Sequence, residues 1–104
     1  MTMSSELLTV TGTLVIRERI ALPAGAVATI KLVDAEGEVL AGTAVDAASV
    51  PVEFTLTADP ELVAKPDELF IWAALRSKIG FWGTTELVAV TSDAVEVSLT
   101  KIED

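Results

Sequence analysis

An all-β fold, either a sandwich or a partly open barrel, is predicted by three features of the sequence. Apolar residues recur with a period of two along most of the chain, the spacing of strands that bury one face. Turn residues break that alternation at short intervals and mark out about seven short strands. Only the stretch near 59–64 carries a helical signal, and it is one turn long.

The elements follow in order. Leu8, Val10, Leu14 and Ile16 share one face of a first strand, with Thr9, Thr11, Thr13, Arg17 and Arg19 on the other. Gly12 falls in the buried-face register, where a kink or bulge is expected. After Pro23-Ala24-Gly25, a second strand runs from Ala26 to Val33 with Ala28, Ile30 and Leu32 on one side. Asp34-Ala35-Glu36-Gly37 is a four-residue hairpin connection, Gly37 suiting the left-handed position, and Glu38 to Val45 pairs back. Val50, Val52, Phe54 and Leu56 alternate next, and Pro51 marks an edge strand because proline cannot donate to a ladder. Asp59 caps a helical turn that Pro60 opens and Pro66 ends. Leu69 to Arg76 and Trp82 to Val90 form a strand pair joined through Ser77-Lys78-Ile79-Gly80. After Ser92-Asp93 a last strand places Val95, Val97 and Leu99 on one face.

Length and charge narrow the function. The 104 residues make a single domain, 1–104, with flexible ends expected at about 1–5 and 102–104. Hydrophobic residues at 51% supply a core. No apolar run approaches the roughly 20 residues of a membrane-spanning helix; the longest uncharged stretch, from Ile20 up to Lys31, is broken by Pro23 and Gly25. A net charge of -9 excludes nucleic acid, whose phosphates demand cations, and disfavours an anionic membrane surface. Met1 to Glu6 has neither the basic nor the apolar region of a secretory signal, and cysteine is absent. The expectation is a cytoplasmic protein if the chain is full length, and a cell-envelope one if a targeting segment was removed.

The inventory for chemistry is thin. Histidine and cysteine are both absent, which removes the commonest general base, the usual triads and nearly every zinc site. No serine stands in a nucleophile elbow, and no P-loop or dinucleotide fingerprint occurs. A carboxylate pair is the one remaining catalytic option, and the chain is short for the deep cleft it needs. No catalytic, cofactor-binding or metal residue is assigned, and an enzyme is not expected. Asp34, Glu36 and Glu38 around Gly37 lack the length and distal glutamate of a calcium loop and read as a solvated turn. Arg17-Glu18-Arg19 reads as the solvent face of a strand.

The aromatic residues are the better lead. Of five, four sit in one hairpin: Phe70, Trp72, Phe81 and Trp82. With Leu69, Ile71, Ala73 and Leu75 as the core face, Phe70 and Trp72 point outward with Ala74 and Arg76. Phe70, Trp72, Arg76, Phe81 and Trp82 are therefore the candidate interaction surface, aromatics being the residues that anchor interfaces. The opposite register, or a loop lying over this face, would hide the same residues.

The run Gly12-Thr13-Leu14-Val15-Ile16-Arg17-Glu18-Arg19-Ile20-Ala21-Leu22-Pro23 resembles the opening of the YbaY/YscW-type family, the type III secretion lipoprotein chaperones or pilotins. Ala28 to Gly37, Pro51-Val52-Glu53-Phe54-Thr55-Leu56, Asp59-Pro60 and the strand Ile71 to Leu75 extend the resemblance, which covers about Leu8 to Val90. It implies an antiparallel β-sandwich of immunoglobulin-like topology. Its pilotin members are outer-membrane lipoproteins that help a secretin reach its place and assemble. Membrane anchoring is not carried over, because the lipid-bearing cysteine has no counterpart here. No cofactor or catalytic residue comes with the resemblance.

The leading expectation is a non-catalytic protein-interaction or assembly module with an unidentified protein partner. It would use the aromatic face, or strand addition at an open edge near Pro51. Two rivals differ in class. One is a carrier of small apolar ligands with a pocket between sheets near Trp72 and Trp82. The other is a structural homodimer that hides the aromatic patch on itself.

Overall fold

The computed structural model describes residues 8–16, 23–47, 51–63, 68–90 and 94–102. Eight strands account for most of them: β1 Leu8–Ile16, β2 Val27–Val33, β3 Val39–Asp46, β4 Val52–Ala58, β5 Phe70–Ser77, β6 Gly80–Gly83, β7 Val88–Ala89 and β8 Ala94–Lys101. The expected helical turn is a single 3-10 turn, Pro60–Leu62, capped by the Asp59 carboxylate, which accepts the Glu61 N–H at 2.9 Å. The solvent-face run Arg17-Glu18-Arg19, Val50, Pro66, the Ser92-Asp93 turn and residues 1–5 and 103–104 lie outside the described residues.

The strands form one hydrogen-bonded sheet in the order β3-β2-β5-β6-β8-β1-β4, with β7 pairing β5 off that path. The sheet curls until its two end strands, β3 and β4, lie side by side without a ladder between them. The all-β expectation therefore holds, but the architecture is a nearly closed barrel and not two separately bonded layers. Nor is the pairing wholly antiparallel: β1 and β8 run parallel from Thr11↔Ala94 to Ile16↔Leu99. Pro51 does precede an edge strand, since β4 ends the sheet.

Alternation decides what faces inward. In β4, Val52, Phe54, Leu56 and Ala58 are buried while Glu53, Thr55 and Thr57 are exposed, and β8 repeats the pattern with Val95, Val97 and Leu99. Leu14, Ile30, Leu32, Leu56, Ile71, Leu75 and Val97 are fully enclosed; each such side chain contributes about 1.5–3 kcal/mol of transfer free energy. No polar or charged residue is buried among the described residues.

Two local expectations need correction. The strand expected over Trp82 to Val90 is two strands. Thr84 ends the first by bonding back to β5, its N–H donating to the Ala73 carbonyl at 3.0 Å and its hydroxyl oxygen accepting the Ala73 N–H at 3.3 Å. β6 crosses to β8, while β7 pairs only with Phe70 and Ile71. Gly12 marks no bulge either, for the β1–β4 register runs unbroken from Leu8↔Ala58 to Leu14↔Val52. A register shift does occur elsewhere among the described residues, in the β2–β3 ladder between Leu32 and Val33.

The β2–β3 turn has the expected chemistry. Gly37 has φ +84°, a conformation that costs other residues a steric clash. One Asp34 carboxylate oxygen accepts from both Glu36 N–H and Glu38 N–H at 2.9 Å. Asp34→Ala is expected to lower stability by about 1 kcal/mol, read as a smaller urea midpoint; an unchanged midpoint would mean water replaces both bonds without loss.

Candidate functional site

β5 lies between β2 and β6, and its two faces have opposite characters. Leu69 just before it, then Ile71, Ala73 and Leu75, are buried, while Phe70 and Trp72 are half-buried on the outside and Arg76 is exposed. The outward direction expected for Phe70 and Trp72 is thus the one found. Ladder partners extend this outer face sideways: Val27 stands opposite Arg76, Thr29 opposite Ala74, Lys31 opposite Trp72, and Phe81 of β6 opposite Arg76.

Trp72, Arg76 and Phe81 come together. With Gly25, Val27, Thr29 and Ala74 they line a groove of about 480 Å3 on the outer face. Its floor is low because Thr29 and Ala74 are small, and its walls are the two aromatic side chains. Trp72 and Phe81 are four rungs apart along β5, about 13 Å at strand spacing. The Lys31 ammonium lies 5.0 Å from the Trp72 ring centroid, a cation–π contact at the edge of the groove.

The other two residues of the expected surface separate from these three. Phe70 is at the far end of β5, opposite Val33 and Ala89, and lines no part of the groove. Trp82 faces inward, only 2% exposed and opposite Leu75. Neighbouring residues of a strand point to opposite sides, so Phe81 and Trp82 could never both be presented outward. The two tryptophans lie on opposite faces of the sheet, which leaves no shared pocket for a ligand between them. Sequence reasoning placed Ala74 outward but passed over the β2 residues Val27, Thr29 and Lys31 as part of this face. Their place depends on the pairing of β2 with β5, which no local pattern reports.

The acidic turn is occupied by its own backbone, the Asp34 carboxylate being engaged with two N–H groups. No group of three or more acidic side chains gathers as metal ligands among the described residues. No helix among them is long and apolar enough to cross a membrane.

Comparison with known proteins shows the family and the fold. The family model for the type III secretion system lipoprotein chaperone (YscW) matches residues 5–100. The structure of an alternative pilotin from the type II secretion system of Vibrio cholerae superimposes with a TM-score of 0.82 at 25% identity, over 95% of this chain and 100% of that one. No curated protein matches the chain.

Proposed function

The chain belongs to the YscW family of type III secretion system lipoprotein chaperones, and from that premise we propose that it is a non-catalytic partner-binding protein of secretion-complex assembly at the cell envelope. The partner class is the secretin, as for the pilotins this family resembles, and the binding surface is the groove on the outer face of β2, β5 and β6. One observation carries the reading: a groove lined by Trp72, Phe81 and Arg76 stands open on the outer face of a well-packed barrel. Trp72 and Phe81 supply rigid apolar walls, and Arg76 a guanidinium that can accept a carboxylate in two bonds. The immunoglobulin-like order of strands implied by the family resemblance belongs to the same proposal, with barrel closure at β3 and β4 as its variation.

Capture of the secretin from envelope extracts by the wild type and by a Trp72→Ser, Phe81→Ser variant tests the site. Both substitutions are on the outer face, so the variant is expected to keep its fold, checked by circular dichroism. The wild type should retain the secretin, and the variant should lose at least about tenfold of the binding, the effect of one interface hot spot. Equal capture by a folded variant would remove the groove as the site. Absence of the secretin from both would remove the partner.

A further inference from the structure

Acidic residues outnumber basic ones 16 to 7 in this chain, yet three of the four described cations lie together. Arg76, Lys78 and Lys101 converge with Ile79, Phe81 and Ile102 around an open concavity of about 650 Å3. It lies where the β5–β6 hairpin turns and β8 finishes, and no described carboxylate lines it. Lys31, Arg76, Lys78 and Lys101 form no ion pair with any described residue; Lys31 and Lys101 lie over indole rings instead. The same concavity holds three of the six exposed large hydrophobic side chains among the described residues, Ile79 at 51%, Ile102 at 40% and Phe81 at 39% exposure.

The hairpin that carries them is fixed by atoms other than these side chains. The Ser77 hydroxyl donates to the Gly80 carbonyl and accepts the Ile79 N–H, both at 3.2 Å. Lys78 and Ile79 form the turn between the paired Ser77 and Gly80, so both are presented at its tip. The Ile102 N–H donates to the Phe81 carbonyl at 2.8 Å, which ties the end of β8 to the same tip.

We propose that this tip docks on an anionic lipid bilayer, with Ile79, Phe81 and Ile102 entering the headgroup layer and Arg76, Lys78 and Lys101 meeting lipid phosphates. A soluble anion would use the cations and leave three apolar side chains in water. A bilayer surface offers phosphates and an acyl boundary a few ångströms apart, the two chemistries this tip interleaves. Net charge argues against membrane contact only when averaged over the molecule. Here three cations stand together, while the acidic turn Asp34–Glu38 follows the opposite end of β2 from the rung that faces Arg76, so an anionic surface attracts the one end and repels the other. Arg76 and Phe81 also line the groove, but Lys78, Ile79, Lys101 and Ile102 line no part of it, so the inference does not rest on the secretin reading.

Cosedimentation of the full chain with vesicles of phosphatidylglycerol and phosphatidylcholine, against phosphatidylcholine alone, is the test. Binding to the anionic vesicles and not to the neutral ones is expected, and it should weaken as salt rises. Lys78→Gln should lower partitioning about fivefold, and Ile79→Ser about tenfold. Equal binding to both vesicles, binding to neither, or undiminished binding of either variant would overturn the proposal. So would displacement by inorganic phosphate or polyglutamate beyond that of sodium chloride at equal ionic strength, which would make the tip a soluble-anion or acidic-peptide site. A variant that loses vesicles and keeps the groove's partner separates this proposal from the secretin reading.

Discussion

Gly12→Ala is expected to cost about 3 kcal/mol of folding stability, although it adds a single methyl group. Gly12 sits in the middle of β1, paired with Phe54 on one side and Val95 on the other. A Cβ built there would stand 2.6 Å and 2.9 Å from the Phe54 ring carbons Cζ and Cε2, and would meet the Val95 carbonyl oxygen more closely still. The ring is 4% exposed and can retreat only into a close-packed core. The carbonyl belongs to the backbone of β8 and cannot retreat without moving its strand. Domains of this size hold roughly 5–15 kcal/mol in all, so the loss would be a large share. Urea unfolding should show a lower midpoint at unchanged slope. Adding Phe54→Leu should recover part of the loss and no more, because the Val95 carbonyl stays in place. Full recovery would assign the whole clash to the ring, and an unchanged midpoint for Gly12→Ala alone would refute the packing described.

That glycine shows how far the sequence could be read. Its place on the buried face was legible from Val10 and Leu14 on either side, because a period of two is a local property. Its reason was not, because the atoms filling the missing side chain's space come from β4 and β8. The same division runs through the fold. Val52 to Leu56 and Val95 to Leu99 announce their faces by alternation, and the turns at Asp34–Gly37 and Asp59–Pro60 announce themselves by composition. The parallel pairing of the first and last strands, the split at Thr84 and the approach of β3 to β4 depend on partners distant in the chain. At the candidate site, the outward set Trp72 and Arg76 was readable within β5. The choice between Phe81 and Trp82 waited on the register that sets Leu75 against Trp82.

Trp82→Ala and Trp72→Ala should therefore differ widely despite removing the same side chain from neighbouring strands. Trp82 fills the barrel end, its ring carbons Cη2 and Cζ3 lying 3.1 Å and 3.2 Å from the space a Gly80 Cβ would take. The Lys101 ammonium covers it at 5.8 Å from the ring centroid. Truncation would leave a cavity there and is expected to cost about 4 kcal/mol, whereas Trp72→Ala on the half-exposed face should cost about 1 kcal/mol. Trp82→Phe offers a finer test. The buried Trp82 Nε1 has no hydrogen-bond partner among the described residues, and a buried orphan donor costs about 1–3 kcal/mol. Phenylalanine removes that donor while keeping most of the apolar volume, so its net cost should be near 1 kcal/mol. Equal midpoints for the two alanine variants would mean that Trp82 is not enclosed. A phenylalanine variant as damaged as the alanine one would mean that the indole N–H is satisfied in solution. Trp82 also bears on function without touching a partner. Anchored in the core, it obliges Phe81 to face outward beside Arg76. Trp82→Ala should thus weaken capture of the secretin by loosening the hairpin, and Trp82→Phe, which keeps the anchor, should leave capture intact.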